Sequence, residues 1–320
     1  MVANDPKNVY SVITDLRVYP VKSCRRVSVR STTLTKSGLK YDRRWMFVNE
    51  KNLHQSIREK PEMTLIIPDF DDDTNELFTE VRVPLEPTAE WIEANMEKTP
   101  AKIFHTWTGA FYYTDPKLLQ IFEDFFGYPV KLVMKDPGDP RVPPDNGRPE
   151  ILGRLISVDF PDGQPLLIAS ETSLAELNER MVEKGLRKLT YDRFRPNIII
   201  SGGDPWSEDE WKTVRINGAP PGSWLSSLTA GYLGNGEALD IDIASRCPRC
   251  LLPNVDPYTG VRDKHQPWDM LMKYRRIDKG AKWVPCVGML GCPRNEGRIE
   301  VGMRFEVLAF TKEHKFVGSG

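Results

Sequence analysis

The chain has 320 residues, 40% of them hydrophobic and 28% charged, with 44 basic against 45 acidic side chains and a formal net charge of −1. That profile describes a globular protein long enough for two domains, each able to bury a core without staples. It gives no global reason to expect nucleic acid or a charged membrane as a partner, so any cationic pocket must be local.

In chain order, the first half reads as short strands. Tyr10–Tyr19 alternates up to Pro20, and Arg26–Leu34 alternates again. Arg44–Asn49 and Met63–Ile67 are further expected strands. Residues 69–90 are acidic, with Asp71, Asp72 and Asp73 in a row, and read as a solvated turn. Asp115–Phe126 places apolar residues on one helical face behind an Asp-Pro start. Residues 136–150 hold five prolines and two glycines, the composition of a domain boundary or of a loop that closes over a site.

The second half is also mainly β. Pro165–Ser170 reads as a buried strand, followed by a helix at Leu174–Lys184 with Thr172 or Ser173 as its cap. Asn197–Ser201, Thr213–Ile216, Ala238–Ile243 and Arg304–Leu308 read as strands. The C-terminal stretch from Lys312 reads as polar and flexible. The longest apolar runs, such as Leu166–Ala169, fall far short of the roughly 20 residues of a membrane span, so no integral membrane anchor is expected. The N-terminal segment is unlike a secretory signal.

Five cysteines, Cys24, Cys247, Cys250, Cys286 and Cys292, without such a signal point to free thiols in a reducing compartment. Cys247 and Cys250 stand three apart beside Arg246 and Arg249, and neighbouring cations favour a thiolate. Two readings stay open on these residues alone, buried core cysteines and a zinc site completed by Cys286 and Cys292, while a redox pair lacks the strand–helix βαβ setting that motif needs. Isolated cations in rigid apolar contexts are the second signal. Lys22 lies in YPVKSC, Arg43 in YDRRWMF, Arg58 in QSIREKP and Arg195 in RFRPNIII. Each either pairs with a local carboxylate or contributes to a pocket for a multiply charged anion.

At these residues the sequence resembles the MOSC-domain proteins, and among them the mitochondrial amidoxime-reducing component family. The matching segments are YPVKSC (19–24), DRRW (42–45), ASETSLAELN (169–178), FRPNIIISG (194–202), RCPRCLLPNVDPYTG (246–260) and GRIEVGM (297–303), in family order. The resemblance implies an α+β, mainly β, fold. It has an N-terminal MOSC-associated β-rich domain (10–135), a Pro-rich connecting segment (136–164) and a C-terminal MOSC β-barrel domain (165–310), with a molybdenum–molybdopterin cofactor between the domains.

By motif position it makes Cys250 the catalytic, molybdenum-binding residue. It assigns cofactor contacts to Lys22, Ser23 and Arg43 from the first domain and to Ser170, Thr172, Ser173, Arg195, Asn197 and Arg249 from the second, with Arg58 at the entrance. The implied activity is two-electron reduction of small N-hydroxylated compounds, with electrons from a b-type cytochrome and its NADH-dependent reductase. The expected location is cytoplasmic, or alternatively mitochondrion-associated. The rival functions are a non-catalytic cofactor carrier and a sulfur-transfer MOSC module.

Overall fold

The structure is a computed structural model that describes residues 11–71, 76–77, 82–217 and 238–318. Much of the acidic stretch, including Asp72 and Asp73, lies outside these residues.

Seven strands close into a barrel: Ser11–Val18, Leu166–Ser170, Ile198–Ile200, Trp211–Asn217, Leu239–Pro248, Cys286–Pro293 and Arg304–Phe310. Closure is made by Ser11–Val18, which pairs antiparallel with Ile198–Ile200 on one side and with Arg304–Phe310 on the other. The only parallel pair among them, Leu166–Ser170 with Ile198–Ile200, is bridged by the helix Glu171–Glu183, as a parallel crossover requires. Alternation along the strands turns Ile13, Ile168, Ile200, Val214 and Ile241 into one apolar interior.

Thus the segment of the chain assigned to the first domain supplies a strand to the second. Ser31–Thr35 does the same, pairing with Gly297–Glu300. Residues 136–164 separate the halves in sequence, while in space the first strand lies in the barrel sheet and Ser31–Thr35 in a small sheet with Gly297–Glu300.

The first half also forms a four-stranded antiparallel sheet, beside a small sheet of Phe70–Asp71, Glu76–Leu77 and Val83–Pro84. The order of the four strands is Trp45–Asn49, Val130–Lys135, Thr106–Tyr113, Met96–Ile103. The helix Pro116–Phe126 starts where expected, with the Asp115 side chain accepting from the Lys117 N–H. It lays Leu118, Phe122 and Phe126 on the sheet, and Phe122 and Phe126 pack against Phe47 at 4.6 and 5.1 Å between ring centres. Within this core the Trp45 indole N–H donates to the Tyr113 hydroxyl at 2.7 Å.

Two local expectations need correcting. Residues 61–65 form a 3₁₀ turn rather than a strand, because Pro61 at its first position fixes a helical φ. The helix after Leu166–Ser170 begins at Glu171, so Thr172 and Ser173 lie in its first turn and cap nothing; Ser170 is the N-cap residue but makes no side-chain cap bond.

If the first strand closes the barrel, truncating it inside must behave as a core deletion. Ile13 is fully buried opposite Ile200. We expect Ile13→Ala to cost about 2–5 kcal/mol in denaturant unfolding. A cost no larger than that of a surface substitution would show that barrel closure does not depend on this strand.

Candidate functional site

A cavity of about 730 Å³ opens between the four-stranded sheet and the barrel, and the 136–164 segment forms part of its wall. Seven cationic side chains line it: Lys22, Arg43, Arg58, Arg141, Arg148, Arg195 and Arg249. Two carboxylates, Asp145 and Asp162, face them.

Local backbone conformation aims these side chains. The chain from Tyr19 to Cys24 runs beside Arg43–Trp45, with the Arg43 N–H donating to the Tyr19 carbonyl at 2.7 Å and the Lys22 N–H to the Trp45 carbonyl at 2.8 Å. Ser23, Arg43, Asp145 and Arg195 all adopt left-handed φ, at 71°, 52°, 58° and 62°. Such values are unfavourable for residues with a Cβ and gather where a site over-determines the backbone.

Arg43 and Arg195 come from different halves of the chain and meet on one ring. Their guanidinium carbons lie 4.5 and 4.2 Å from the centre of the buried Tyr19 ring. Arg43 also pairs with Asp42, and donates to the Asn197 side-chain oxygen Oδ1 at 3.1 Å. Asn197 is held in turn by the Leu167 N–H and donates to the Arg17 carbonyl. Arg195 donates from Nη1 to the Cys24 carbonyl at 2.8 Å, while its buried Nη2 has no partner in the protein. Burial pulls the Arg195 guanidinium down to about 10, and Arg43 nearby acts in the same direction.

A second group forms around Asp162. Its carboxylate pairs with Lys22 and, at 2.7 Å, with Arg58. Burial would push this carboxyl up, but Lys22 and Arg58 outweigh it and hold it well below the usual carboxylate range. Lys22 itself is pulled down to about 8 by burial, against the opposing pull of Asp162. Arg58 is raised despite its burial, by Asp162 and then by the Cys250 sulfur beside it. Arg141 donates to the Asp159 and Pro161 carbonyls, both at 3.0 Å, and leaves its buried Nε without a partner.

The thiols sort by exposure. Cys24, Cys247, Cys286 and Cys292 are buried; Cys250 is partly exposed and lines the cavity. It follows directly on the Leu239–Pro248 strand, where the Arg249 N–H donates to the Pro285 carbonyl at 2.8 Å. The Arg249 side chain donates to the Cys247 sulfur at 3.1 Å and to the Phe194 carbonyl at 2.8 Å; its Nε is buried and unpartnered. Burial pushes the Cys247 thiol up despite Arg249, and pushes Cys286 and Cys292 up to about 12. The zinc reading falls here. Cys286 and Cys292 sit at opposite ends of one strand, and among the described residues no three His, Cys, Asp or Glu side chains form a metal site.

Of the expected site residues, Lys22, Ser23, Arg43, Arg58, Arg195, Asn197, Arg249 and Cys250 line this one cavity. Ser170, Thr172 and Ser173 are not among its lining residues. Leu167, at the other end of their strand, is the cavity-lining residue, and three residues of strand are roughly 10 Å. Ser173 is committed elsewhere: it donates to Glu208 and accepts the Trp206 N–H, both at 2.8 Å. Ser170 and Thr172 bond to each other. Tyr19, Arg141, Arg148 and Asp162 belong to the cavity group and were not expected. Arg141 carried the same sequence signal as Arg195, an arginine beside proline in a rigid stretch.

The arrangement fits a multiply charged, oxygen-rich anion. Three buried guanidinium nitrogens, Arg141 Nε, Arg195 Nη2 and Arg249 Nε, lack an acceptor, and burying such donors unpaired is costly. A thiol open to the same space adds a soft metal ligand.

A closed barrel with a basic cleft against a smaller β sheet defines a two-part, mainly β protein. The chain belongs to the MOSC-domain family: residues 10–129 match the MOSC N-terminal beta barrel domain and residues 156–306 the MOSC domain. Over 91% of its length it is similar to mitochondrial amidoxime-reducing component 1 of Homo sapiens, with 27% identity covering 81% of that chain. The same protein of Mus musculus is 27% identical over 80% of its length, and mitochondrial amidoxime reducing component 2 of Bos taurus 28% over 81%. Among the described residues, no helix is long and apolar enough to cross a membrane.

The low value of Lys22 gives a pH dependence. Its folded value lies below the unfolded one, near 10.4, so the unfolded chain binds more protons between the two. Lys22 therefore costs stability below about pH 8, and that cost fades as pH rises toward about 10.4. Anion affinity runs the other way, since the ammonium is lost over the same range. In calorimetric titrations with sulfate, which does not titrate here, we expect wild-type affinity to fall several-fold between pH 7 and pH 9.5. Lys22→Met should bind more weakly at pH 7 and show a clearly shallower fall, since Arg141 and Arg195, both held near 10, begin to lose charge only at the top of this range. An identical pH profile in both proteins would remove Lys22 from the anion site.

Proposed function

We propose that the chain is a molybdenum-cofactor-dependent reductase of small N-hydroxylated compounds. The observation that carries this reading is the meeting, in one cavity, of seven cationic side chains and the one cysteine of the five that is not buried. The names of the amidoxime-reducing relatives support the substrate class.

In this reading Cys250 ligates the molybdenum, a role suited to a soft thiolate. Arg43 and Arg195, fixed on Tyr19, would hold the cofactor's phosphate from the two halves, and Lys22, Ser23 and Arg141 would hold its remaining oxygens. When bound, the cofactor supplies the two-electron chemistry; the protein binds, orients and tunes it. Asn197 orients Arg43, and Arg249 fixes the backbone that presents Cys250. Arg58, beside both Cys250 and Asp162, places a positive charge where the substrate's oxygen would approach. Conversion of an N–OH group to N–H and water consumes two electrons and two protons. The electrons would come from a b-type cytochrome and its NADH-dependent reductase.

The test joins metal content to turnover. Wild-type protein should contain molybdenum by elemental analysis and reduce benzamidoxime when supplied with the cytochrome, its reductase and NADH. Cys250→Ala should lose both together, and Cys250→Ser should keep its fold while turnover collapses. Arg195→Ala should lower molybdenum content. Full activity in either cysteine variant contradicts the assignment, and metal without turnover in the wild type supports a carrier instead.

A further inference from the structure

The matched MOSC domain ends at residue 306, and the last barrel strand at Phe310. The residues that follow, expected to be flexible, are instead clamped from three sides. The His314 ring bonds the Trp211 carbonyl through Nε2 at 2.6 Å, and Arg246 donates to the His314 carbonyl at 3.1 Å. The Phe316 N–H donates to Asp278 Oδ1 at 2.8 Å, and the same oxygen accepts the Gly280 N–H. Asn146, itself buried, grips the next stretch with both ends of its amide: Nδ2 donates to the Lys315 carbonyl at 3.0 Å and Oδ1 accepts the Val317 N–H at 2.8 Å. Fixing a chain end costs roughly 1–2 kcal/mol of backbone entropy per residue, so contacts of this density mark a built element rather than a frayed terminus.

The clamp has a direction. Asn146 sits inside the segment whose Arg141, Val142, Pro143, Pro144 and Arg148 line the cavity, and Phe316, between the two Asn146 bonds, lines it too. Val142, Pro143, Pro144, Leu290 and Phe316 give the cavity an apolar side to set against its seven cations. The loop before the Cys286–Pro293 strand packs closely behind the tail: a Cβ placed on Gly280 would run into the Phe316 carbonyl.

We propose that this C-terminal tail is part of the substrate site, with Phe316 as a specificity-determining residue whose ring limits the apolar body of the molecule that the cavity admits. The substrate class is thereby narrowed to N-hydroxylated compounds with a flat or small apolar body. This rests on the reductase reading above.

The test compares reduction of benzamidoxime with that of its bulkier para-phenyl derivative. Phe316→Ala should shift the ratio of kcat/KM toward the bulky compound by about tenfold, mainly through KM, and Phe316→Trp should shift it the other way. Gly280→Val, outside the cavity, should reproduce the effect of Phe316→Ala by displacing the tail. An unchanged ratio in all three overturns the proposal. A second readout does not depend on turnover. Amide hydrogen exchange over residues 141–149 should quicken in Gly280→Val and in Asn146→Ala; unchanged exchange there overturns the clamp. If the wild type reduces neither compound, the reductase reading fails, and the exchange comparison still decides the tail.

Discussion

Seven cations facing one cavity with two carboxylates is an arrangement that the protein alone does not neutralise. Taking these cations out of water is costly, and the low values of Lys22 and Arg195 record chiefly that burial, with neighbouring cations adding to it. Asp162 relieves part of it by bridging Lys22 and Arg58, and the Tyr19 ring relieves another part by receiving two guanidiniums. The remainder leaves a demand set by the excess of cations over carboxylates, which suits the cavity to an anion.

The fold serves that demand by weaving its halves together. The first strand leaves the barrel directly into the Tyr19–Cys24 stretch, so Lys22 and Ser23 stand at a fixed distance from barrel residues such as Asn197 and Arg249. Left-handed turns at Ser23, Arg43 and Arg195 then aim the side chains inward. The 136–164 segment closes the cavity from the side, and the C-terminal tail holds that segment through Asn146. Cleft geometry is thus set by strand pairing and by buried polar contacts rather than by a flexible linker.

Much of this is legible in the residues. Alternation marks Ser11–Val18, short apolar runs mark Trp45–Asn49 and Ile198–Ile200, and an Asp-Pro start marks the helix at Pro116. Isolated cations in rigid contexts mark Lys22, Arg43, Arg58 and Arg195. What is hidden has physical reasons. The Cys286–Pro293 strand is obscured by Gly288 and Gly291, where a Cβ would meet the Ile168 carbonyl and the Ile241 side chain, both at 2.9 Å. Met96–Ile103 carries Pro100, tolerated because the strand lies at a sheet edge. Asp162 and Tyr19 carry no local pattern, since their roles exist only once distant segments meet. Ser170, Thr172 and Ser173 mislead because hydroxyls at a helix start suit an anion, yet here they satisfy one another, Glu208 and the Trp206 backbone.

The central claim is that one sulfur and one basic cleft hold the same bound group. Anomalous diffraction at the molybdenum absorption edge, on crystals of the protein purified with its metal, tests it most directly. The account predicts a single strong peak beside Cys250 Sγ, inside the cavity lined by Arg43, Arg195 and Arg249. A peak anywhere else, or a metal-loaded protein with no peak near residue 250, would contradict it.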